Sequence, residues 1–211
     1  MTIESRPLLE PGHTVVFYGD SITDAGRRDD PTGLGTGYVK LLAEQLAEQT
    51  VINSGISGNR VVDLQRRLTD DVLAYRPDLV SIMIGINDTW RRFDSDDPTS
   101  TEAYQASYLD IAQRITDSGA GLVLLEPFVL PVTDEQATAW RDDLQPRIEV
   151  VRGLAERFGA PLVALDVDLN RLAARSSAVE LADDGVHPTE QGHAAIARMW
   201  LDAVRRAEQA G

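Results

Sequence analysis

A serine, a histidine and an aspartate occupy positions from which they could form a nucleophilic triad. Ser21 follows the first apolar run, in the stretch from Gly19 to Asp24, where a hydroxyl can project from a strand end. Asp184 precedes His187 by three residues, with Gly185 between them, so its carboxylate can reach the imidazole Nδ1. That contact fixes the tautomer of a general base and stabilises the imidazolium formed during acyl transfer. The pattern predicts Ser21 as nucleophile, His187 as base and Asp184 as its partner.

Two simpler interpretations of these residues stay open at this point. Ser21 or Thr23 can serve only as the N-cap of a following helix, a position that serine and threonine often take. Asp184 and His187 can serve only to rigidify their loop. Asp183 lies one residue farther from the histidine, which makes Asp184 the preferred partner.

The chain has three histidines, and the positions of the other two argue against a role as the base. His13 precedes the first strand, at the end of the sheet opposite Ser21, and is predicted to lie on the surface. His193 falls inside the pattern of the final helix and is predicted to pack or to face solvent. His187 is therefore the candidate base.

Acyl transfer also requires hydrogen-bond donors for the oxyanion that develops on the substrate carbonyl. Gly58 lies in the turn after the second strand, where a glycine lets backbone N–H groups approach a ligand closely. Asn87 follows the third strand, and its side-chain amide can donate. Glycine and asparagine are also common turn formers, so each signal is weak alone. Their shared placement at strand ends makes the set more specific.

Four further side chains are candidates for contact with a substrate. Trp90 follows the Asn87 turn, and its indole face can stack on a sugar ring; it can equally be a core or interface tryptophan. Arg60 and Arg91 could hydrogen-bond sugar hydroxyls, or simply pair with the many acidic residues. Asp20, next to the candidate nucleophile, is the fourth.

Two other kinds of chemistry fit the sequence less well. The turn after the first strand has neither the Gly-Lys-Ser/Thr of a phosphate-binding loop nor the spaced glycines of a dinucleotide site. Asp166 and Asp168 have the Asp-x-Asp spacing of haloacid-dehalogenase-type phosphatases, but that motif normally follows the first strand rather than the fifth. We predict instead that this acidic pair caps the following helix.

Composition excludes several classes of site and partner. The 211 residues include no cysteine, so disulfides, zinc ribbons, iron–sulfur clusters and a cysteine nucleophile are excluded. The formal net charge of -14 makes nucleic acid and anionic membranes poor partners. The sequence has no metal-ligand spacing, and we expect no metal and no cofactor. It has no secretory signal and no bilayer-length apolar run, so we expect a cytoplasmic protein.

Apolar runs of strand length alternate with amphipathic stretches, a pattern typical of a parallel sheet covered by helices on both faces. The predicted strands are residues 14–18, 50–53, 79–84, 121–126 and 161–165. The predicted helices are residues 38–49, 61–75, 101–118, 134–158, 168–175 and 189–207. Thr189 is placed as the N-cap of the last helix, and Pro146 should kink or divide the fourth. The segment between residues 84 and 101 is predicted to be a polar loop.

These elements predict one α/β domain over residues 1–211, a three-layer α/β/α sandwich around a five-stranded parallel sheet. Ligands of such folds bind outside the carboxyl ends of the strands. Ser21, Gly58, Asn87 and His187 all follow predicted strands. The fold would therefore bring them to one edge of the sheet.

Four short motifs together resemble the SGNH (GDSL-type) hydrolase superfamily, which is named after the marker residues Ser, Gly, Asn and His. The stretch Gly19 to Ser21 matches the first block, although Ile22 stands where leucine is usual. Gly58 matches the second block, Gly85 to Asp88 the third and Asp184 to His187 the last. The resemblance extends from about His13 to the final helix and agrees in order and spacing.

This resemblance implies a flavodoxin-like sandwich and a serine esterase that needs no cofactor. It implies that Ser21 is the nucleophile, His187 the base and Asp184 its partner. The oxyanion hole would be formed by the backbone N–H groups of Ser21 and Gly58 together with the Asn87 side chain. The reaction would be a two-step acyl transfer through an acyl-enzyme.

Longer runs are similar to a narrower group, the bacterial acetylxylan esterases. These runs are Leu34 to Tyr38, Gly55 to Arg60 and Gly85 to Arg91. They imply removal of acetyl groups from xylo-oligosaccharides and assembly into a homo-oligomer. A thioesterase or lysophospholipase with the same triad is the alternative, because substrate does not transfer reliably between relatives on one fold. A binding module without activity is a more distant alternative.

Overall fold

The computed structural model describes residues 7–210 and contains a five-stranded parallel sheet. Its strands are β1 (Thr14–Gly19), β2 (Thr50–Gly55), β3 (Leu79–Met83), β4 (Gly121–Leu125) and β5 (Leu162–Val163). Their order across the sheet is β2-β1-β3-β4-β5. This is the flavodoxin-like, doubly wound arrangement, so the predicted fold class is confirmed.

Helices cover both faces of the sheet. They are α1 (Ser21–Asp24), α2 (Tyr38–Gln45), α3 (Val61–Asp71), α4 (Ile86–Asp94), α5 (Thr101–Asp117), α6 (Arg141–Phe158), α7 (Leu165–Ala173), α8 (Ala178–Leu181) and α9 (Glu190–Ala210). A 3₁₀ turn, Leu73–Tyr75, follows α3, and a π-helical turn, Gln136–Trp140, precedes α6. No helix in the described part of the chain is both long and apolar enough to cross a bilayer.

Alternation along β1 divides the core into two hydrophobic clusters, because successive strand residues face opposite sides of a sheet. Val15 and Phe17 point to one cluster. There the Phe17 ring packs against the ring of Trp200 in α9, with 5.4 Å between the ring centroids. Val16 and Tyr18 point to the other cluster, which includes the apolar residues of α3 and α5. Both faces of the sheet are thus buried, which explains why the strands appear in the sequence as continuous apolar runs.

The register of the central strands places their carboxyl ends level with each other. Gly19 at the end of β1 pairs with Gly55 of β2 and with Met83 of β3. A Cβ atom at Gly19 would lie 2.4 Å from Thr23 Oγ1 and 2.5 Å from the Met83 carbonyl oxygen. Only glycine therefore allows the chain to turn this tightly out of the sheet. The chain reverses its winding direction between β1 and β3, which is where doubly wound folds bind ligands.

All five predicted strands form, but several helix predictions need correction. The segment after β3 is predicted to be a polar loop, which is wrong: α4 begins at Ile86, and its first turn is buried although most of its residues are polar. The predicted helix over residues 61–75 ends at Asp71 and continues as the 3₁₀ turn. The helix over residues 134–158 is divided at Trp140 by the π-helical turn, while α6 runs through Pro146. Thr189 does cap α9, since its Oγ1 accepts the Gly192 N–H at 3.2 Å.

The two histidines outside the candidate triad are both packed. His13 was predicted to lie on the surface, which is wrong: only 7% of it is exposed. Its Nδ1 accepts the Glu10 N–H at 3.2 Å, because the preceding segment folds over it. His193 was predicted either to pack or to face solvent, and the structure shows that it packs. Its Nδ1 accepts the Tyr38 N–H at 3.2 Å, and burial lowers its pKa to about 4.

Candidate active site

Ser21 is the first residue of α1, and one residue separates it from the end of β1. The preceding residue, Asp20, is the N-cap, and its Oδ1 accepts the Ile22 N–H at 3.1 Å. The helix lasts one turn and ends at Ala25, which takes a left-handed conformation with φ of 42°. Ser21 is thus not the residue that caps the helix, and its hydroxyl stays available for another partner.

The candidate triad forms a continuous hydrogen-bonded chain. The Ser21 Oγ lies 3.0 Å from His187 Nε2, and His187 Nδ1 lies 2.6 Å from Asp184 Oδ2. The other carboxylate oxygen of Asp184 accepts the N–H groups of Val186 and His187 at 2.9 and 2.7 Å. The histidine and aspartate side chains are about half exposed, so a ligand can reach them from solvent.

Asp184 is held in its charged form by its surroundings. Partial burial raises the pKa of its carboxyl. The hydrogen bonds from the His187 side chain and from two backbone N–H groups lower this pKa by more, so it lies below the ordinary value. A carboxylate that accepts several hydrogen bonds is stabilised in the ionised state. Asp184 is therefore an anion at neutral pH, as the partner of an imidazolium must be.

The loop that carries Asp184 is fixed by a residue that sequence reasoning missed. Gln136, in the π-helical turn, donates from Nε2 to the Asp184 carbonyl oxygen at 2.7 Å and accepts the Val132 N–H at 2.9 Å. Gly185 has a φ of 84°, and its carbonyl oxygen accepts the Leu130 N–H at 2.8 Å. π-Helical turns occur often at functional sites, but this one has no visible signal in the sequence.

The candidate oxyanion donors lie on the neighbouring strand ends. Gly58 has a φ of 81°, which favours glycine, although a Cβ there would meet no described atom closer than 4.0 Å. The backbone conformation, rather than crowding, thus requires glycine at this position. Asn87, 4% exposed, lies in the first turn of α4, and its Nδ2 donates to the Asn59 carbonyl oxygen at 3.0 Å. The amide has a second hydrogen, which this contact does not use.

Two buried carboxyl groups lie close behind the site. Asp20 is 1% exposed, and burial is the main cause that raises its pKa from 3.8 to about 7. Nearby Asp88 raises it further, whereas the Ile22 N–H and His187 lower it. Burial also raises the pKa of Asp88 to about 6. Asp20 was a candidate for substrate contact, but its burial leaves almost no surface for a substrate, and its observed contact is the cap of α1.

We predict that Asp20→Asn becomes more stable relative to the wild type as pH rises. Because the folded pKa of Asp20 is raised, its protonated form stabilises the fold fully below about pH 4, and this contribution disappears as pH rises through about 7. Asparagine stays neutral throughout. The unfolding free energy of the variant minus that of the wild type should therefore increase by roughly 1–4 kcal/mol over that pH range. Urea unfolding at a series of pH values measures this shift, and a constant gap would contradict it.

An aromatic cluster borders the histidine. The Trp90 ring lies 5.8 Å from the His187 ring and 5.3 Å from the Trp140 ring, and Phe93 stacks on Trp140 at 5.6 Å. Trp90 is partly exposed beside the histidine and also packs against the core, so a role at the mouth of the site stays a prediction. Trp140 was missed, because only the fold brings the π-helical turn next to α4.

The two candidate arginines are both paired with acidic side chains. Arg60 Nη1 lies 3.0 Å from Asp97 Oδ2, and Arg91 pairs with Asp94 within α4. The Arg91 guanidinium also lies beside Gly58, 4.0 Å from where a Cβ would stand. Arg91 is thus next to the candidate oxyanion loop, whereas the observed partner of Arg60 is the segment after α4.

The Asp-x-Asp pair lies inside α7 and does not cap it, since the N-cap is Ala164. Asp166 pairs with Arg141 at 2.7 Å and Asp168 with Arg171 at 2.8 Å. The capping prediction is therefore wrong, although acidic residues in a first turn still favour the helix dipole. Among residues 7–210, no three histidine, aspartate or glutamate side chains are grouped as a metal site would require.

Comparison with known proteins identifies the family of the chain. Residues 17–195 match the model of the GDSL-like lipase/acylhydrolase family. An acetylxylan esterase from Geobacillus stearothermophilus is 35% identical over 205 residues, which cover 90% of this chain and 93% of the relative.

Solved structures support the same relationship. One catalytic mutant of that acetylxylan esterase superposes with a TM-score of 0.86 at 32% identity, covering 93% of this chain and 96% of the other. LAE5, an α/β-hydrolase from the metagenome of Lake Arreo in Spain, superposes with a TM-score of 0.87 at 33% identity, covering 95% and 98%. The chain therefore belongs to the GDSL-like lipase/acylhydrolase family and is a carboxylic ester hydrolase.

Proposed function

We propose that this protein is a serine esterase that removes short acyl groups, acetyl above all, from carbohydrate esters such as xylo-oligosaccharides. The observation that carries the proposal is the continuous chain from Asp184 through His187 to Ser21, beside Gly58 and Asn87 at the switch point of the sheet. The 35% identity to an acetylxylan esterase supports acetyl as the acyl group and a xylan-derived sugar as the alcohol. Catalytic mutants of that relative replace a serine in one case and an aspartate in another.

The proposed reaction has two symmetrical steps. His187 removes the Ser21 proton as the hydroxyl attacks the ester carbonyl, and Asp184 stabilises the imidazolium. The N–H groups of Ser21 and Gly58 and the Asn87 amide donate to the oxyanion. His187 then protonates the ester oxygen of the sugar as its bond to the carbonyl carbon breaks, so the sugar leaves as an alcohol and an acyl-enzyme remains. Water, activated by the same histidine, releases the acid and restores Ser21.

The experiment that tests the substrate compares p-nitrophenyl acetate, butyrate and octanoate, followed by acetylated xylo-oligosaccharides. We expect the highest kcat/KM with acetate and release of acetate from the oligosaccharides, all of it lost in Ser21→Ala. A preference for octanoate would keep the triad but contradict the carbohydrate substrate, and would favour the lysophospholipase or thioesterase alternative. Activity that persists in Ser21→Ala would contradict the assignment as a whole.

Asn87→Ala should lower kcat on p-nitrophenyl acetate by about 100- to 1000-fold, since loss of one oxyanion donor costs about 3 kcal/mol of transition-state stabilisation. Its KM should change little, because the donor acts on charge that develops only in the transition state. Asn87→Asp, which is nearly isosteric, should lose at least as much, because a carboxylate repels the oxyanion. Wild-type kcat in either variant would remove Asn87 from the hole.

Trp90→Ala should raise KM for acetylated xylo-oligosaccharides about tenfold and leave kcat/KM for p-nitrophenyl acetate within about threefold, if the indole stacks on the sugar ring. Trp90→Phe keeps an aromatic face and serves as the matched control, with an intermediate KM. Equal losses on both substrates would assign Trp90 to the packing of the histidine instead.

Location and assembly belong to the same proposal. We infer that the protein acts in the cytoplasm on small or oligomeric esters that have already entered the cell, and that it self-associates. Multi-angle light scattering on the purified chain tests the second point: a mass above that of one 23.1 kDa chain is expected, and a monomer at micromolar concentration would contradict it.

A further inference from the structure

One arginine on α3 ties together the two strand ends next to the candidate nucleophile. Arg67 lies three residues after Leu64, on the buried side of α3, and its side chain is only 14% exposed. Its guanidinium donates to the Gly19 carbonyl oxygen at 3.0 Å and to the Ser54 carbonyl oxygen at 2.8 Å. These carbonyls lie at the points where β1 and β2 leave the sheet.

The same guanidinium is held in a fixed orientation. Its Nη1 also donates to Asp71 Oδ2 at 2.9 Å, and its carbon atom Cζ lies 4.4 Å from the centre of the Tyr18 ring. An arginine presents its donors in a rigid planar fork, so several simultaneous contacts leave it little freedom. Arg67 is therefore a rigid clamp between α3, β1 and β2.

The Nε of Arg67 contacts the loop that carries the candidate oxyanion donor Gly58. Arg67 Nε donates to Asn59 Oδ1 at 2.7 Å, and the Asn59 carbonyl oxygen accepts the Asn87 Nδ2 at 3.0 Å. Gly58 is the residue directly before Asn59. The chain of contacts from Arg67 thus ends at the Asn87 amide and runs through Asn59, the residue next to Gly58.

We propose that Arg67 is a positioning residue of the oxyanion hole, which it orients through Asn59 relative to the Ser21 turn. The inference rests on the proposed function, because it presumes that Gly58 and Asn87 donate to an oxyanion. Donors must be held within about 0.5 Å of their productive positions. A misplacement of about 1 Å can lower a rate about 100-fold, so a residue that never touches the substrate can still control kcat.

The test uses Arg67→Lys, which keeps the charge but loses the planar fork. On p-nitrophenyl acetate we expect kcat to fall about 10- to 100-fold while KM stays within about twofold. Arg114→Lys is the matched control: Arg114 of α5 pairs with Asp110 of its own helix and donates to the Thr69 hydroxyl of α3, but it contacts neither Gly19 nor Ser54. Its kcat should equal that of the wild type. All assays are run at a temperature where circular dichroism shows every variant folded.

A double-mutant cycle with Asn87→Ala separates positioning from mere stability. If Arg67 acts through the donors, its substitution should lower kcat by no more than about threefold in the Asn87→Ala background, because the main element that it orients is already gone. Equal fold-losses in both backgrounds would overturn the inference. So would an Arg67→Lys variant that has a lower Tm but wild-type kcat. If Ser21→Ala retains activity, the proposed function fails first; if only the Arg67 results disagree, the inference alone fails.

Discussion

Ser21→Ala lowers kcat for p-nitrophenyl acetate by about four to six orders of magnitude and leaves the fold intact. The hydroxyl that forms the acyl-enzyme is absent in this variant, and residual rate enhancement can come only from binding and from the oxyanion donors. The Ser21 side chain contacts His187 and is not the cap of α1, so its removal should shift Tm by little. The measurement is kcat and Tm on the same preparations.

Ser118→Ala is the matched control for this prediction. Ser118 lies at the end of α5, where its Oγ donates to the Ile115 carbonyl oxygen at 2.6 Å, far along the chain from the site. Its kcat should equal that of the wild type. If Ser21→Ala and Ser118→Ala turn over equally, Ser21 is not the nucleophile.

Asp184→Asn lowers kcat by about 10⁴-fold near neutral pH, because the asparagine can present its amide to His187 Nδ1 and favour the wrong tautomer. The wild-type contact of 2.6 Å and the lowered pKa of Asp184 place a negative charge on this position. KM should stay close to the wild-type value, since the observed contacts of the Asp184 carboxylate are with His187 and with backbone N–H groups of its own loop.

Asp183→Asn provides the control for the aspartate. It is the adjacent residue in the same exposed loop and changes the net charge by the same amount. Because electrostatic effects of exposed charges are small and screened, its kcat should remain within about twofold of the wild type. A large loss in Asp183→Asn with a small loss in Asp184→Asn would reverse the assignment of the partner.

The strands and the candidate triad could be predicted because the information is local. Each apolar run identifies a strand buried on both faces, and a parallel sheet brings the residues that follow its strands to one edge. Ser21 follows β1 and Asn87 follows β3, so the pairing of these two strands brings both residues to the same edge. Asp184 and His187 are three residues apart, so their contact needs only a turn at Gly185.

The supporting contacts could not be predicted because they join distant parts of the chain. Gln136 contacts the Asp184 loop across 48 residues, and Arg67 contacts Gly19 across the same separation. One signal was present for Arg67: a charged residue on the apolar side of an amphipathic helix is unusual and requires partners. No comparable signal marks Gln136, whose turn departs from regular helical spacing.

The most direct test of the central claim is covalent labelling with a fluorophosphonate, followed by peptide mass spectrometry. The account predicts one adduct, on the Ser21 Oγ, in the wild type, none in Ser21→Ala, and much slower labelling in His187→Ala because the base that activates the serine is absent. An adduct on another residue, or ester hydrolysis by the wild type that survives complete exposure to the probe without labelling, would contradict it.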